Sequence, residues 1–374
     1  MNKRTKIQVA SPIFIGNENK YLTECIESGW ISSNGRFIKA FEEQFAEFCG
    51  TKHAITCSNG TAALHLALLV YGIGIGDEVI VPTLTYVASA NAVTYCGAHP
   101  VFVDSEANTW NINPELIEAK ITDKTKGIIV VHLYGHPVDM DAVNTIARKH
   151  NLVVIEDAAE AHGALYKGKI AGSLGDIATF SFYGNKIITT GEGGIVVTND
   201  DEVAAKLRLL KGQGMSPTQR YWFPIVGYNY RMTNMQAAIG LAQIENIDWH
   251  LSKRKEVSRL YYQYLAPLSN YIELPVQEDW ASHSFWMYTI LLKSTVKMTR
   301  DEFMDALDNQ GVETRPIFYP MHILPIYQED TNSYPVANDV AARGFNLPTH
   351  GLLKEEDIAF IAKQIENICF KLSI

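Results

Sequence analysis

The sequence predicts an α/β protein whose larger domain contains a mostly parallel sheet of about seven strands. Short runs rich in β-branched residues recur between turn residues, at positions 53–57, 78–81, 101–103, 127–131, 152–155, 177–182 and 194–198. Helical patterns lie between several of these runs, at positions 61–70, 114–119 and 140–149. Continuous apolar strands that alternate with helices indicate a sheet covered on both faces.

The sequence pattern changes after residue 201. A helical run to residue 211 is followed by an aromatic stretch at 221–230 and a long helical pattern at 234–265. A strand at 286–292, a helix at 300–309, a proline-rich segment at 315–325 and a helix from residue 354 then predict a smaller α+β domain. We therefore expect a large domain at 1–250 and a C-terminal domain at 251–374.

Composition excludes several classes of partner. The 374 residues include 32 Lys plus Arg and 41 Asp plus Glu, which gives a formal net charge of −9. Without a basic run to bind a phosphate backbone, nucleic acid is not an expected partner. The most apolar stretch, 62–76, is too short for a membrane span, so no membrane partner is expected.

The five cysteines are scattered without a C-x-x-C pair, which favours neither a disulfide scaffold nor a metal site. The first 14 residues lack the apolar run of a signal peptide. We therefore expect a cytoplasmic protein without a metal.

Polar residues that directly follow strands are the first candidates for a site, because ligands bind at the carboxyl ends of parallel strands. The segment 58–61 contains Gly60 and Thr61, follows a strand and opens a helix, where free N–H groups and the helix dipole can hold a phosphate. Such residues are also ordinary helix caps. Tyr86, after another strand, can stack on a flat cofactor ring or pack in the core.

The pair Asp157 and Lys186 is the most informative feature. Asp157 ends an apolar strand, where it can pair with a protonated ring nitrogen or cap the next helix. Lys186 lies in a loop rich in Gly and Ser, where a lysine can lose its proton and form a Schiff base; a surface lysine in a turn is the alternative. The spacing between Asp157 and Lys186 leaves room for one intervening β-unit, which can bring the two residues to the same end of the sheet. An Asp and a Schiff-base Lys are what proteins contribute to pyridoxal phosphate chemistry.

Ordered motifs over nearly the whole chain resemble the DegT/StrS family of nucleotide-sugar aminotransferases. They lie at 29–33, 58–61, 82–86, 132–137, 156–163, around Lys186 and at 227–232. The resemblance implies the fold-type I, aspartate aminotransferase-like fold of pyridoxal phosphate enzymes, with a mixed, mostly parallel seven-stranded sheet. It also implies a homodimer with shared active sites.

The resemblance assigns roles by position. Lys186 would bind the cofactor covalently and Asp157 would pair with its ring nitrogen. Glu160, where many relatives have Gln, would approach the phenolic oxygen, and Tyr86 would stack on the ring. The phosphate would be held by Gly60, Thr61, Ser181 and, from the neighbouring subunit, Asn229.

Segments 30–33, 211–214, 221–222 and 313–322 are most similar to a subgroup that acts on GDP-4-keto-6-deoxy-D-mannose. The resemblance implies that an amino group passes from L-glutamate to C4 of this sugar, for O-antigen or other lipopolysaccharide synthesis. Trp30, Ser32, Arg315 and His322 would contact the sugar nucleotide, although a packing role is open for the proline-rich segment.

Other functions stay open at this point. The same chemistry on a UDP-linked or dTDP-linked keto sugar is one, and a pyridoxal phosphate-binding regulator without turnover is another. Lys186 argues against a related branch that has His at this position and removes a sugar hydroxyl. A nicotinamide dehydrogenase is disfavoured because no G-x-G-x-x-G follows the first strand.

Overall fold

The computed structural model describes residues 6–371. Its strands are β1 (His53–Cys57), β2 (Glu78–Pro82), β3 (His99–Val103), β4 (Thr125–Val131), β5 (Val153–Asp157), β6 (Leu165–Tyr166), β7 (Lys169–Ile170), β8 (Ile177–Ser181), β9 (Gly194–Thr198), β10 (Ile272–Glu273), β11 (Ala281–Ser282), β12 (Tyr288–Leu292), β13 (Arg315–Pro316) and β14 (Gly344–Leu347). Its helices are α1 (Glu18–Ser28), α2 (Arg36–Cys49), α3 (Gly60–Val70), α4 (Ala88–Tyr95), α5 (Pro114–Ile117), α6 (Met140–His150), α7 (Asp201–Lys211), α8 (Asn234–Ile244), α9 (Ile247–Leu265), α10 (Arg300–Asn309), α11 (Pro335–Arg343) and α12 (Glu355–Lys371).

A mixed seven-stranded sheet, in the order β1-β9-β8-β5-β4-β2-β3, forms the centre of the large domain. Strands β3, β2, β4, β5 and β8 pair in parallel, whereas β9 is antiparallel to both of its neighbours. The predicted fold class is confirmed. The parallel register sets Asp157 beside Val131 on β4 and Thr179 on β8. The carboxyl ends of these three strands therefore lie at the same end of the sheet.

Helices cover the sheet. Among the helices of the described residues, α1, α2, α4 and α11 were not predicted from the sequence. Phe37, Phe41 and Phe45 recur every four residues along α2 and are buried, which places one apolar face of this helix against the core. The pattern predicted as one helix at 234–265 forms two, α8 and α9. Thr233 begins α8 with a capping box to Gln236.

A second, four-stranded antiparallel sheet, in the order β10-β12-β14-β13, organises the C-terminal part. A separate apolar cluster packs between this sheet and helices α9, α10 and α12. The proposed boundary at residue 250 falls inside α9, and the division into two domains stays a prediction. Within residues 6–371, no helix combines the length and the apolar character needed to cross a bilayer.

Candidate active site

A cavity of about 600 Å³ opens at the carboxyl end of the parallel strands. Some of the residues that line it were predicted from the sequence to bind a cofactor, and others were not predicted. The first group comprises Gly60, Thr61, Tyr86, Asp157, Glu160, Ser181 and Lys186, and the second includes His65, Glu192, Trp286 and Phe318.

Asp157 ends β5 and is buried at the base of this cavity. Its Oδ2 accepts a hydrogen bond from Ser89 Oγ (2.8 Å), and its Oδ1 accepts one from the Ala159 N–H (3.2 Å). Burial raises the pKa of Asp157, and these two hydrogen bonds oppose the rise. A carboxylate held in this way is suited to pair with a cationic ring nitrogen.

Lys186 follows β8 in a loop, and its side chain is mostly buried. Its Nζ lies 3.8 Å from Glu160 Oε1 and 3.8 Å from the centre of the Trp286 ring. Burial lowers the pKa of Lys186, while Glu160 and Asp157 oppose this change. The depressed pKa favours the neutral amine, which is the nucleophilic form.

Glu160 is the third ionisable group at the base of the cavity. Its Oε2 accepts a hydrogen bond from the Tyr134 N–H (2.7 Å). Burial raises the pKa of Glu160 to about 7, with Lys186 and this hydrogen bond acting in the opposite direction. Near neutral pH, Glu160 can therefore hold or release a proton.

The N-terminus of α3 forms a narrow cradle next to Ser181. Asn59 caps the helix by accepting a hydrogen bond from the Ala62 N–H (2.8 Å). A Cβ added at Gly60 would lie only 2.8 Å from Ser181 Cβ, so a side chain at position 60 would close the cradle. Backbone N–H groups at a helix N-terminus and a serine hydroxyl suit a phosphate.

Aromatic side chains form the upper wall of the cavity. Tyr86 is 57% exposed, and its ring centre is 5.6 Å from that of Phe318. Trp286 Nε1 donates a hydrogen bond to the Asn185 carbonyl (2.8 Å), which ties it to the Lys186 loop. Trp286 and Phe318 come from the C-terminal part of the chain, where nothing local distinguishes them from core aromatics.

Asn229 lies outside the cavity of its own chain, on an exposed segment. Its Oδ1 accepts hydrogen bonds from the Arg231 guanidinium (3.2 and 3.3 Å). The expected contact with the phosphate of a neighbouring subunit stays a prediction.

The four residues expected at the sugar nucleotide lie away from this cavity. Trp30 is 57% exposed and borders a second cavity beside Arg36, with Ser32 exposed nearby. Arg315 is on β13, with its guanidinium 3.8 Å from Glu313. Their roles in substrate binding stay predictions.

The His322 side chain is fully buried in the single chain, and its role at the sugar nucleotide stays a prediction. Its Nδ1 bonds to Thr83 Oγ1 (2.7 Å), and its Nε2 bonds to Asn338 Oδ1 (2.9 Å). Both ring nitrogens are occupied, since the proline-rich segment packs this histidine against the end of β2.

Comparisons with known proteins agree with this geometry. Residues 13–366 match the model of the DegT/DnrJ/EryC1/StrS aminotransferase family. A GDP-perosamine synthase of Caulobacter vibrioides is 56% identical, with 98% of this chain and 100% of the relative aligned. One from Escherichia coli O157:H7 is 48% identical, over 96% of this chain and 98% of the relative.

The fold is also that of a solved sugar aminotransferase. The PLP form of a putative sugar aminotransferase from Streptococcus pneumoniae superposes with a TM-score of 0.93 at 28% identity, covering 98% of this chain and 99% of that chain. The matched region includes every residue of the Asp157, Glu160 and Lys186 cluster. The chain belongs to the DegT/DnrJ/EryC1/StrS aminotransferase family.

Proposed function

We propose that this protein transfers the amino group of L-glutamate to C4 of GDP-4-keto-6-deoxy-D-mannose, with pyridoxal phosphate as cofactor. The observation that carries the proposal is the meeting of Asp157 and Lys186 in one cavity beside the Gly60 and Ser181 cradle. The choice of acceptor is supported by the similarity to relatives named GDP-perosamine synthase. The product would enter a surface polysaccharide such as an O-antigen.

The residues of the cavity fit pyridoxal phosphate. The cradle of Gly60, Thr61 and Ser181 would hold its phosphate, Asp157 its ring nitrogen and Tyr86 its face. Lys186 would supply the amine that attaches to its aldehyde. When bound, the cofactor supplies a carbonyl that exchanges amino groups and a ring that withdraws electrons from the substrate carbon.

Three residues of the chain would then hold or transfer protons. Asp157, which accepts hydrogen bonds from Ser89 and the Ala159 N–H, would keep a proton on the ring nitrogen. Lys186 Nζ, once free, would move a proton at the substrate carbon, for which its depressed pKa is suited. Glu160, with a pKa near 7, would share a proton with the oxygen that faces it.

A homodimer with shared active sites is part of the proposal. It is supported by the exposed position of Asn229 and by the exposed aromatic residues at 221–223.

A cytoplasmic location is supported by the five free cysteines, four of which are buried.

Lys186→Ala tests the chemistry. Borohydride should fix the cofactor to the wild-type peptide that contains Lys186, and the variant should keep its fold but lose glutamate-dependent formation of 2-oxoglutarate. The conservative variant Lys186→Arg keeps the charge without a usable amine and should be equally inactive. Turnover by Lys186→Ala at the wild-type rate would refute the assignment.

The acceptor is tested by comparing kcat/KM for GDP-, UDP- and dTDP-linked 4-keto-6-deoxy sugars. A site that hydrogen-bonds one base and one sugar hydroxyl leaves buried polar groups unpaired with another, which can lower kcat/KM by ~10⁴-fold. We expect the GDP-linked ketone to be preferred. Equal rates with a UDP-linked or dTDP-linked ketone would refute the acceptor while leaving the aminotransferase proposal intact.

A further inference from the structure

Lys186 has to exist as a free ammonium during part of the proposed reaction. Once released, its Nζ takes the proton of the donor's α-carbon and carries a positive charge until it gives that proton up. Burial disfavours this charge and lowers the pKa of Lys186. A neighbouring group that favours the charged form would therefore hold the ammonium in the cavity until the proton has been passed on.

Two neighbours of Lys186 Nζ can stabilise its positive charge at short range. Glu160 Oε1 lies 3.8 Å away, and so does the centre of the Trp286 ring. Because burial raises the pKa of Glu160 to about 7, this carboxyl loses its charge when it takes up a proton near neutral pH. The indole face has no proton to gain or lose, and Trp is the aromatic side chain that attracts a cation most strongly.

The other titratable groups around Lys186 do not take the place of this ring. Asp157 favours the charged lysine, but in the proposed function it is paired with the cofactor's ring nitrogen. Burial lowers the pKa of His162 to about 3, so this histidine is neutral at physiological pH. Trp286 is therefore the neighbour whose attraction for the ammonium persists when the carboxyls are protonated or engaged.

The Trp286 ring is fixed by contacts of its own. Its Nε1 donates a hydrogen bond to the Asn185 carbonyl (2.8 Å), which holds the residue before Lys186. The Tyr134 ring stacks against it, with the ring centres 6.1 Å apart and the planes at 18°. Only 4% of Trp286 is exposed, so the ring offers little surface to a ligand. These contacts suit a residue that acts on Lys186 better than a platform for a substrate ring.

A buried arginine holds the backbone at Trp286. The Arg254 guanidinium, on α9, donates hydrogen bonds through Nη1 to the carbonyls of Trp286 (2.6 Å) and Thr349 (2.9 Å). Phe285, the residue before Trp286, has a φ of +50°, a left-handed conformation that such contacts have to maintain. The indole thus reaches Lys186 from a backbone that is tied to a helix.

We propose that Trp286 is a positioning residue for Lys186. The face of its ring holds the Lys186 ammonium in the cavity, and its indole N–H fixes the loop that carries the lysine. This inference rests on the proposed function, because only a lysine that is released during turnover needs to be held in this way.

Fluorinated tryptophan at position 286 is the first test. Mono-, di- and trifluorinated indoles keep the shape and the N–H of the ring, but each fluorine withdraws electron density from the face and weakens its attraction for a cation. The pKa of Lys186 in the apoprotein is measured by competitive acetylation and peptide mass spectrometry. It should fall stepwise, by about 1 over the series.

The same fluorinated series at position 249 is the matched control, since Trp249 lies on α9 and outside the cavity. It should leave the pKa of Lys186 unchanged. A pKa of Lys186 that does not respond to fluorination at position 286 would overturn the inference. Because fluorination preserves the shape of the ring, this result does not depend on a variant that fails to fold.

The glutamate half-reaction of the holoenzyme tests the role in turnover. The cofactor absorbance follows a single turnover with ordinary and with α-deuterated glutamate. Trp286→Phe keeps a ring face without the N–H, and Trp286→Leu keeps neither. The rate at saturating glutamate should fall in that order, by ~10-fold or more in Trp286→Leu, with little change in the KM for glutamate. The hydrogen isotope effect should rise, because proton transfer at Lys186 becomes slower.

An unchanged rate and isotope effect in Trp286→Leu would overturn the inference. A loss confined to the KM for glutamate would also overturn it, since it would indicate a contact with the substrate. A wild-type protein that shows no glutamate half-reaction would instead refute the proposed function, and the acetylation series would still decide whether Trp286 holds Lys186.

Discussion

Burial raises the pKa of Glu160 and lowers the pKa of Lys186, so the two pKa values move closer together. The pKa of the acid rises to about 7 and that of the amine falls, because a low-dielectric site disfavours both charged forms. The distance of 3.8 Å between Lys186 Nζ and Glu160 Oε1 keeps the two groups in direct electrostatic contact. The affinities of these two neighbouring groups for a proton therefore differ less than they would in water.

The raised pKa of Glu160 predicts a pH-dependent stability of the apoprotein. Between the ordinary value of 4.5 and about 7, the folded state binds more protons than the unfolded state. The stabilisation by Glu160 is therefore complete below pH 4.5 and lost as the pH rises through 7. From pH 5 to 7.5, the wild type should lose more stability than Glu160→Gln by on the order of 2 kcal/mol.

Urea unfolding of the apoproteins across this range measures the difference. The Gln side chain can still accept the Tyr134 N–H hydrogen bond, so the comparison isolates the titration from the loss of that bond. Parallel stability curves for the two proteins would contradict the prediction.

At the scale of elements, the end of β5 is held by a buried carboxylate next to Asp157. Glu156 Oε1 accepts hydrogen bonds from the N–H groups of Leu174 and Gly175, and its Oε2 accepts one from the Gly172 N–H, each at 2.7 Å. The Val138 N–H donates to His132 Nδ1 (3.0 Å), so His132 Nε2–H donates to Glu156 Oε2 (2.9 Å). The loop between β7 and β8 is thereby fixed to the strand that carries Asp157.

Replacement of Glu156 by Gln should therefore destabilise the protein strongly. The amide NH2 would face at least one of these buried N–H donors, which costs about 2–3 kcal/mol in the free energy of unfolding. Glu118→Gln is the control, because Glu118 pairs with Lys149 at the surface and should change stability by less than about 1 kcal/mol. Denaturant unfolding of both variants gives the comparison, and similar losses would disprove the special role of Glu156.

The elements differ in how far the sequence predicted them. The strands of the large sheet were predicted within two residues at most ends, because buried parallel strands are continuous apolar runs bounded by turn residues. The same reading located Asp157 and Lys186, since each follows such a run. Helix α2 was missed because its apolar face, with Phe37 and Phe41, lies in a segment of mixed polarity that lacks a strong start signal.

Residues that reach the cavity from distant parts of the chain were not predictable. Trp286 touches the Lys186 loop across about 100 positions of sequence, through a bond from its indole N–H to the Asn185 carbonyl. The surroundings of His322 are also set by distant residues, since its Nδ1 bonds to Thr83 Oγ1. Tertiary contacts decide both outcomes, and a single sequence does not encode them in local patterns.

At the scale of the whole molecule, the cavity depends on both parts of the chain and, in our proposal, on a second subunit. Asp157 and Lys186 come from the large sheet, whereas Trp286 and Phe318 come from the C-terminal part. The segment at 221–223 carries exposed aromatic residues, including Tyr221 and Trp222, which a monomer would leave in water. A symmetric dimer that covers these residues would place this segment of each chain against the other subunit.

The shared site predicts that two inactive variants restore activity when combined. Lys186→Ala lacks the reactive amine, and Asn229→Ala is expected to lack a phosphate contact in the partner's cavity. A heterodimer of the two has one cavity with both residues intact. Since random exchange of equal amounts makes half of the dimers mixed, activity should return to about a quarter of the wild-type level. Transamination is measured after mild unfolding and refolding of the mixture, with each variant refolded alone as the control. If Asn229→Ala is inactive alone and the mixture recovers nothing, Asn229 acts within its own subunit and the sites are not shared.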